Sequence, residues 1–340
     1  ACLWCLISGI DSSTNYSGLS PMFRIWLSIN MTSSLAAVGA EAQRAETLGG
    51  DVVMLADVAF DAFLGAQAAI QTTRHVEVAI SGLVAFARSP MVTAVASWNL
   101  AALSGGRFRL GLSALVPSML VGKYSVPWEP PAPRMREYIG ALRAIHASWQ
   151  TDVPLHYDGK YYRLNRQNSW TRPAPIEHPD IPIHLGAIGP RMSFVAGECA
   201  RGLLTHPTNA ARRYVSEVVL PRVTEGAEKG GRSIEQFELV VTPLCATGRT
   251  VAEVAAHREK NRELLATLLS TPQYWPTLEL HGWRSTGERL RELWREGRAD
   301  LMPAQLTEEM LDTLMVTAPH DQLARALRER FEGLAHGICL

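Results

Sequence analysis

Two apolar patterns alternate along the first third of the chain. Phe23–Ile29, Asp51–Val58, Val76–Phe86 and Arg107–Leu112 read as strands, and Asp51–Val58 is apolar nearly throughout, as expected of a strand covered on both faces in a parallel sheet. Between them Ala62–Thr72 and Met91–Leu103 carry helical spacing. A further helix is expected from a cap at Ser33 or Ser34 to Leu48, ended by Gly49 and Gly50. Strand and helix alternation repeated this often argues for consecutive βα units. Right-handed crossovers then close most naturally into a (β/α)8 TIM barrel, an α/β fold, here with loop insertions.

The rest of the chain is less regular. Ala114–Pro133 reads as a loop or insertion, with Pro127, Pro130, Pro131 and Pro133 preventing a long helix. Arg134–Trp149 is an amphipathic helix, and Tyr157–Trp170 a short hairpin turning at Asp158-Gly159. Ile181–Pro207 reads as strand, tight loop, helix, strand. Beyond it come a helix around Arg212–Lys229, a strand Phe237–Ala246, a polar helix Val251–Leu269 and a charged helical stretch Trp275–Ala299. Leu311–Thr317 is expected as the last strand and Asp321–Phe331 as the closing helix. No repeat or linker divides residues 22–340, so a single domain is expected there. Residues 1–21 differ: Leu3–Ile10 is apolar but too short to span a bilayer and lacks the flanks of a secretory signal, and Ser12–Ser20 is polar and turn-rich. They are expected to be an N-terminal extension outside the barrel, not native to it or poorly ordered.

Composition narrows the function classes. With 340 residues and 47% hydrophobic content the chain can bury a large core. Lys plus Arg equals Asp plus Glu at 33 each, so net charge points to neither nucleic acid nor an anionic membrane. Five cysteines leave one unpaired, which favours a reducing, cytoplasmic setting. Cys2 and Cys5 form a CxxC with no second pair. His281 follows Glu279 without metal-ligand spacing, and no metal site is expected.

Within Ile181–Pro207, Gly186 and Gly189 permit a sharp turn and Pro190 suits the first turn of a helix. Gly186, Ala187, Ile188, Gly189, Pro190 and Arg191 would then aim unpaired N–H groups, beside a fixed positive charge, at an anion such as a phosphate. An ordinary β/α repeat needs the same glycine turn, and both readings stand. Asp57, at the end of the second strand, suits a proton donor or cofactor orienter and equally a helix cap. His206, after the strand Gly202–Thr205, would reach a ring or phosphate, or serve the loop. His75, His146 and His257 read as structural. Trp128, Trp170, Tyr161 and Tyr162 either cover a pocket or pack long loops.

Several stretches carry a family resemblance. Arg88-Ser-Pro, Ser104-Gly-Gly-Arg-Phe-Arg-Leu-Gly-Leu, Pro133-Arg-Met-Arg-Glu-Tyr and Gly186-Ala-Ile-Gly-Pro-Arg-Met, in this order, resemble the luciferase-like monooxygenase superfamily. Leu278-Glu-Leu-His-Gly-Trp and Val218-Val-Leu-Pro are similar to its actinobacterial branch of coenzyme F420-dependent oxidoreductases. The resemblance implies a barrel that holds a deazaflavin, coenzyme F420, or alternatively FMN at the C-terminal ends of its strands, and a homodimer. It implies a bulge with a cis peptide at Ser81-Gly82 beneath the cofactor ring, and ring or phosphate contacts from Ser113 and Thr205. Better-known relatives follow the acid after the second strand with a histidine, whereas here Leu55-Ala-Asp-Val-Ala-Phe-Asp retains only Asp57. Sugar-phosphate dehydrogenases of the family carry a glutamate where this chain has Ser113-Ala-Leu-Val, which implies a small, largely apolar substrate. The expected reaction is hydride transfer; an FMN monooxygenase and a redox-inactive binding or assembly barrel are the alternatives.

Overall fold

Eight short strands close on themselves: β1 (Arg24–Ser28), β2 (Val52–Leu55), β3 (Glu77–Val84), β4 (Phe108–Ser113), β5 (Ile183–Gly186), β6 (Gly202–Leu204), β7 (Glu238–Val241) and β8 (Gly337–Cys339). Each pairs in parallel with its neighbours, and β8 pairs with β1 to complete the barrel. The computed structural model describes residues 23–29 and 34–340. The expected N-terminal extension, Cys2, Cys5 and Ser33 lie outside the described residues. The α/β barrel expected from the alternating pattern is the fold of this chain.

Helices pack around the outside and bury the outward faces of the strands in one large apolar core, which includes Ile25, Val53, Leu55, Ile80, Leu110, Leu185, Leu203 and Leu239. Ala62–Thr72 is helical as expected, with Asp61 capping it by accepting from the Phe63 N–H. Val251–Leu269 begins with a reciprocal cap between Thr250 and Glu253.

Four expectations need correction. Leu311–Thr317 is not a barrel strand. Thr307 caps a helix with acidic residues in its first turn (Glu308–Leu314), and Met315–Thr317 pairs with Leu244–Ala246 in a separate two-stranded sheet. The barrel is instead closed by Gly337–Cys339, after the helix His320–Phe331. The expected strand Phe237–Ala246 is split at Thr242-Pro243, where proline has no N–H for the ladder. The proline-rich insertion contains a helix, Pro117–Tyr124, and a second begins at Pro131 and runs to Thr151. Pro131 and Pro133 fit because first-turn N–H groups have no intrahelical acceptor. The charged stretch from Trp275 breaks at Gly282 (φ +77°) into Pro276–Leu280 and Arg284–Arg295. The helix over 212–229 is continuous but widens into a π-turn at Val215–Val219, directly ahead of Pro221, whose missing N–H breaks the regular ladder.

The barrel interior is layered. At the floor, Arg109 is buried and bridges the interior from β4 to β7: Nη1 donates to Glu238 Oε2 at 2.8 Å, and Nη2 donates to Glu77 Oε1 at 3.0 Å. Arg24 also pairs with Glu77, and His184 meets Glu238 Oε2 at 3.1 Å. Burial would raise the Glu238 carboxyl, but the His184 bond and the Arg109 charge hold it at about 2. Above this layer Trp26, Met54, Ala79, Leu204, Val240 and Cys339 form an apolar plug. A filled interior leaves the C-terminal mouth as the place for a site.

Candidate active site

The residues singled out in the sequence gather at the C-terminal ends of β2 to β6, on one mouth of the barrel. Their side chains are not equally free. Asp57 is buried and fully engaged: its Oδ2 accepts from the Val84 N–H at 3.1 Å and from Arg88 Nη1 at 2.7 Å, and its Oδ1 accepts from Arg88 Nη2 at 3.2 Å. Arg88 Nη2 also reaches Asp61 Oδ2 at 3.0 Å. Burial alone would lower the Arg88 pKa, but the bonds to Asp57 and Asp61 raise it above its ordinary value. This pair ties the end of β2 to the end of β3, a bond between residues 31 apart that no local pattern reveals. The sequence reading quoted Arg88-Ser-Pro as a motif without giving Arg88 a role. The unusual feature was an arginine directly ahead of a capped helix, since Ser89 accepts from the Val92 N–H.

The β3 bulge is present where it was expected, with the β3–β4 register shifting between Ile80 and Leu83. No peptide bond among the described residues is cis, so Ser81-Gly82 is trans, contrary to expectation. Gly82 turns the chain through φ +91°, a conformation glycine adopts without a Cβ clash. Ser113 Oγ donates to the Gly82 carbonyl at 3.2 Å and fixes the bulge. Across the bulge Gly111 lies so close that an added Cβ would sit 2.2 Å from the Ile80 carbonyl oxygen.

The glycine loop after β5 is held by its carbonyls. Buried Asn209 donates from Nδ2 to the Ala187 carbonyl at 3.0 Å and the Ile188 carbonyl at 3.2 Å, and Tyr214 donates its hydroxyl to Ile188 at 2.9 Å. The helix Pro190–Cys199 starts there with Gly189 as N-cap and no side-chain cap. Among the described residues, the backbone N–H groups of Ile188, Gly189 and Arg191 meet no acceptor. A Cβ added to Gly189 would meet nothing within 4 Å, so the space above the loop is open. Arg191 is exposed beside it, with no carboxylate partner among the described residues. Neither Asn209 nor Tyr214 was singled out in the sequence.

His206 caps the turn Pro207–Asn209. Its Nδ1 accepts from the Thr208 N–H at 3.3 Å, and its ring stacks on Tyr274 with centroids 4.6 Å apart. Loss of hydration pushes the imidazole down to about 4, so it is neutral at pH 7. Nδ1 also lies 2.9 Å from the Thr208 hydroxyl; where Nδ1 accepts from both Thr208 groups the ring proton sits on Nε2, which bonds to no protein group among the described residues. Thr205 Oγ1 accepts from the Thr242 N–H at 2.9 Å and links β6 to β7 rather than facing a ligand through that lone pair.

One family model, that of the luciferase-like monooxygenases, aligns with residues 16–337, almost the whole described chain. The chain belongs to the luciferase-like monooxygenase family. An uncharacterised relative from Mycobacterium tuberculosis is 35% identical over 315 residues, covering 93% of this chain and 92% of the relative. Another protein of that organism, which bears the name of a coenzyme F420-dependent oxidoreductase, is 29% identical and covers 83% of this chain and 84% of its own length. The coenzyme F420-dependent tetrahydromethanopterin reductase from Methanopyrus kandleri superimposes with a TM-score of 0.76 at 20% identity, covering 94% of this chain and 92% of that structure. At that identity the likeness is one of fold. Membership of the luciferase-like monooxygenase family makes the protein an oxidoreductase-family barrel. Among the described residues no helix is long and apolar enough to cross a membrane.

Proposed function

We propose that this luciferase-like barrel is a coenzyme F420-dependent oxidoreductase acting on a small, largely apolar organic molecule. The observation that carries the reading is one mouth holding two things together: an anion cradle with three unsatisfied N–H groups beside Arg191, and a bulged strand end at Gly82. Their chemistry fits a ring-bearing cofactor with a phosphate tail. When bound, the deazaflavin supplies the hydride acceptor or donor. Ile188, Gly189, Arg191 and the helix dipole bind the phosphate. The β3 bulge, braced by Ser113, would support the ring.

In this reading Asp57 is a positioning residue, because both its oxygens are committed to Arg88 and backbone N–H groups. The proton role falls to His206, neutral with Nε2–H available to a substrate oxygen or ring atom. Apolar groups enter from the segment after Ser113, where Leu115 adopts φ +60° and the helix Pro117–Tyr124 exposes Met119 and Val121. Strain of this kind in a non-glycine residue persists where the surroundings enforce it.

Equilibrium titration with coenzyme F420 and with FMN tests the proposal. F420 is expected to bind the more tightly. Tighter FMN binding would transfer the assignment to a flavin monooxygenase, and no binding of either would leave a barrel that binds or assembles without redox chemistry. Replacing His206 by Asn is expected to lower turnover while leaving cofactor affinity within about twofold, because hydrogen-bond donation by a neutral ring contributes mainly in the reacting state.

A further inference from the structure

Beside the barrel floor, at the end opposite His206, lies a cleft of about 650 Å³ between the helix 131–151, the loop 179–183 and the segments that lead into β6 and β7. Its charged lining is Arg109, Arg143, Arg201 and Arg232 against Asp180 and Glu238, leaving two positive charges in excess. Arg109 and Arg201 are tied to Glu238. Arg143 and Arg232 meet no carboxylate among the described residues. Each holds only main-chain carbonyls at the end of the helix Pro190–Cys199: Arg143 Nη2 donates to Cys199 at 2.6 Å, and Arg232 Nη1 donates to Gly197 at 3.2 Å and to Ala200. A guanidinium carries five N–H donors in a planar fork, so most of their capacity is unspent. The cluster is crowded enough to lower the Arg232 pKa, through burial first and then through the Arg143 and Arg201 charges.

We propose that this cleft is a second anion site and takes a phosphate monoester. A phosphate dianion offsets the two uncompensated guanidiniums and matches their paired donors. The volume falls in the range of roughly 300–1,000 Å³ typical of small-molecule sites, which leaves room for the organic part of the ester. The site is separate from the glycine loop after β5, which lies at the opposite mouth and would hold the cofactor.

Calorimetric titration of the full chain with inorganic phosphate and with phenyl phosphate tests this. Saturable binding is expected, the ester binding more tightly. Arg232→Gln should weaken it about tenfold or more, since a charge-assisted bond is lost. Because Arg232 also caps helix carbonyls, Gln236→Glu provides a second arm: Gln236 lines the cleft, and the new carboxylate adds a negative charge to it without removing any Arg–carbonyl donor. The same weakening is expected there, with Arg191→Ala leaving the affinity unchanged. Absence of saturable binding would overturn the proposal. So would binding that survives Gln236→Glu or is lost in Arg191→Ala, which would place the phosphate at the other mouth.

Discussion

At the floor of the barrel Arg109, Arg24, Glu77 and Glu238 pair with one another and with His184 Nε2 across the interior, whereas at the mouth the N–H groups of Ile188, Gly189 and Arg191 and the Nε2 atom of His206 have no protein partner among the described residues. Both ends are built from the same eight strands. The difference lies in where the carbonyls and carboxylates are spent. At the floor they face inward and neutralise charge; at the mouth Asn209 and Tyr214 take up the loop carbonyls and leave its donors pointing into open space. A donor facing open space is satisfied by water and can exchange that water for an anion, whereas a buried donor must find its partner within the protein. The floor therefore contributes chiefly to stability, and the mouth is where the proposed cofactor would bind.

The largest effect of a single substitution should come from the floor. Arg109→Ala leaves Glu77 and Glu238 without their shared partner; removing one member of a fully buried ion pair costs about 3–5 kcal/mol, and this network, partly open to solvent through Arg24 and Glu77, should lose about 2–3 kcal/mol. Denaturant unfolding measures this. A loss below about 1 kcal/mol would mean that water reaches the network and that the floor is no more locked than the mouth.

Acid acts on buried histidines at both ends: His206 at the mouth, His146 beside the floor cleft and His184 in the floor itself, where burial also lowers the ring pKa. The folded-state pKa of His206 and His146 is about 4, below the ordinary 6.5, because burial disfavours the charged ring. Between these values the unfolded chain binds protons that the folded chain does not, so stability is complete above pH 6.5 and drains away as pH falls toward 4. Glu238, held at about 2 against 4.5, loses its contribution only in the lower window. Unfolding free energy measured from pH 7 to 4 should fall by about 3 kcal/mol for each of the His206 and His146 rings, and His206→Gln should flatten part of that slope. A flat profile across the window would show that His206 is charged or solvated.

The barrel was legible because β2 and β4 are apolar nearly throughout and because helical spacing recurs between strands, as at Ala62–Thr72. The closing strand was not: Gly337–Cys339 is too short to display a period, while Leu311–Thr317 offers a longer apolar run that the Thr307 cap turns into helix. At the site, the glycine loop was legible because turn chemistry is local. The Asp57–Arg88 pair and the floor network were not, because they join residues from different strands. Their trace in the sequence is a charged or polar residue inside an apolar run, Arg109 between Phe108 and Leu110 and His184 between Ile183 and Leu185. That pattern marks an inward position but not the partner across the barrel.

Arg191→Ala should sharpen the contrast from the other side. The side chain is exposed and unpaired among the described residues, so stability should change by no more than about 0.5 kcal/mol. Cofactor affinity should fall by roughly tenfold, about 1.4 kcal/mol, as expected for loss of a charge-assisted contact. Unchanged affinity would return the loop to the role of an ordinary barrel turn.

The smallest change in stability, and the most discriminating, is expected from Gly189→Ala. Gly189 has φ −92° and ψ 162°, an extended conformation that alanine adopts freely, and its Cβ would meet nothing within 4 Å. Alanine is a poorer N-cap than glycine but has less freedom to lose on folding, and the two effects oppose each other, leaving a net change of about 0.5 kcal/mol or less. Gly111→Ala, by contrast, should be poorly tolerated, since its Cβ would collide with the Ile80 carbonyl oxygen. The new methyl at Gly189 stands in the space that a bound phosphate needs in order to reach the Ile188, Gly189 and Arg191 N–H groups. Cofactor affinity should therefore drop while the melting temperature stays within a degree or two of wild type, by roughly the scale of the stability change. If both stay constant, the open space above the loop is not where the cofactor sits, and the free donors at the mouth serve something other than its phosphate.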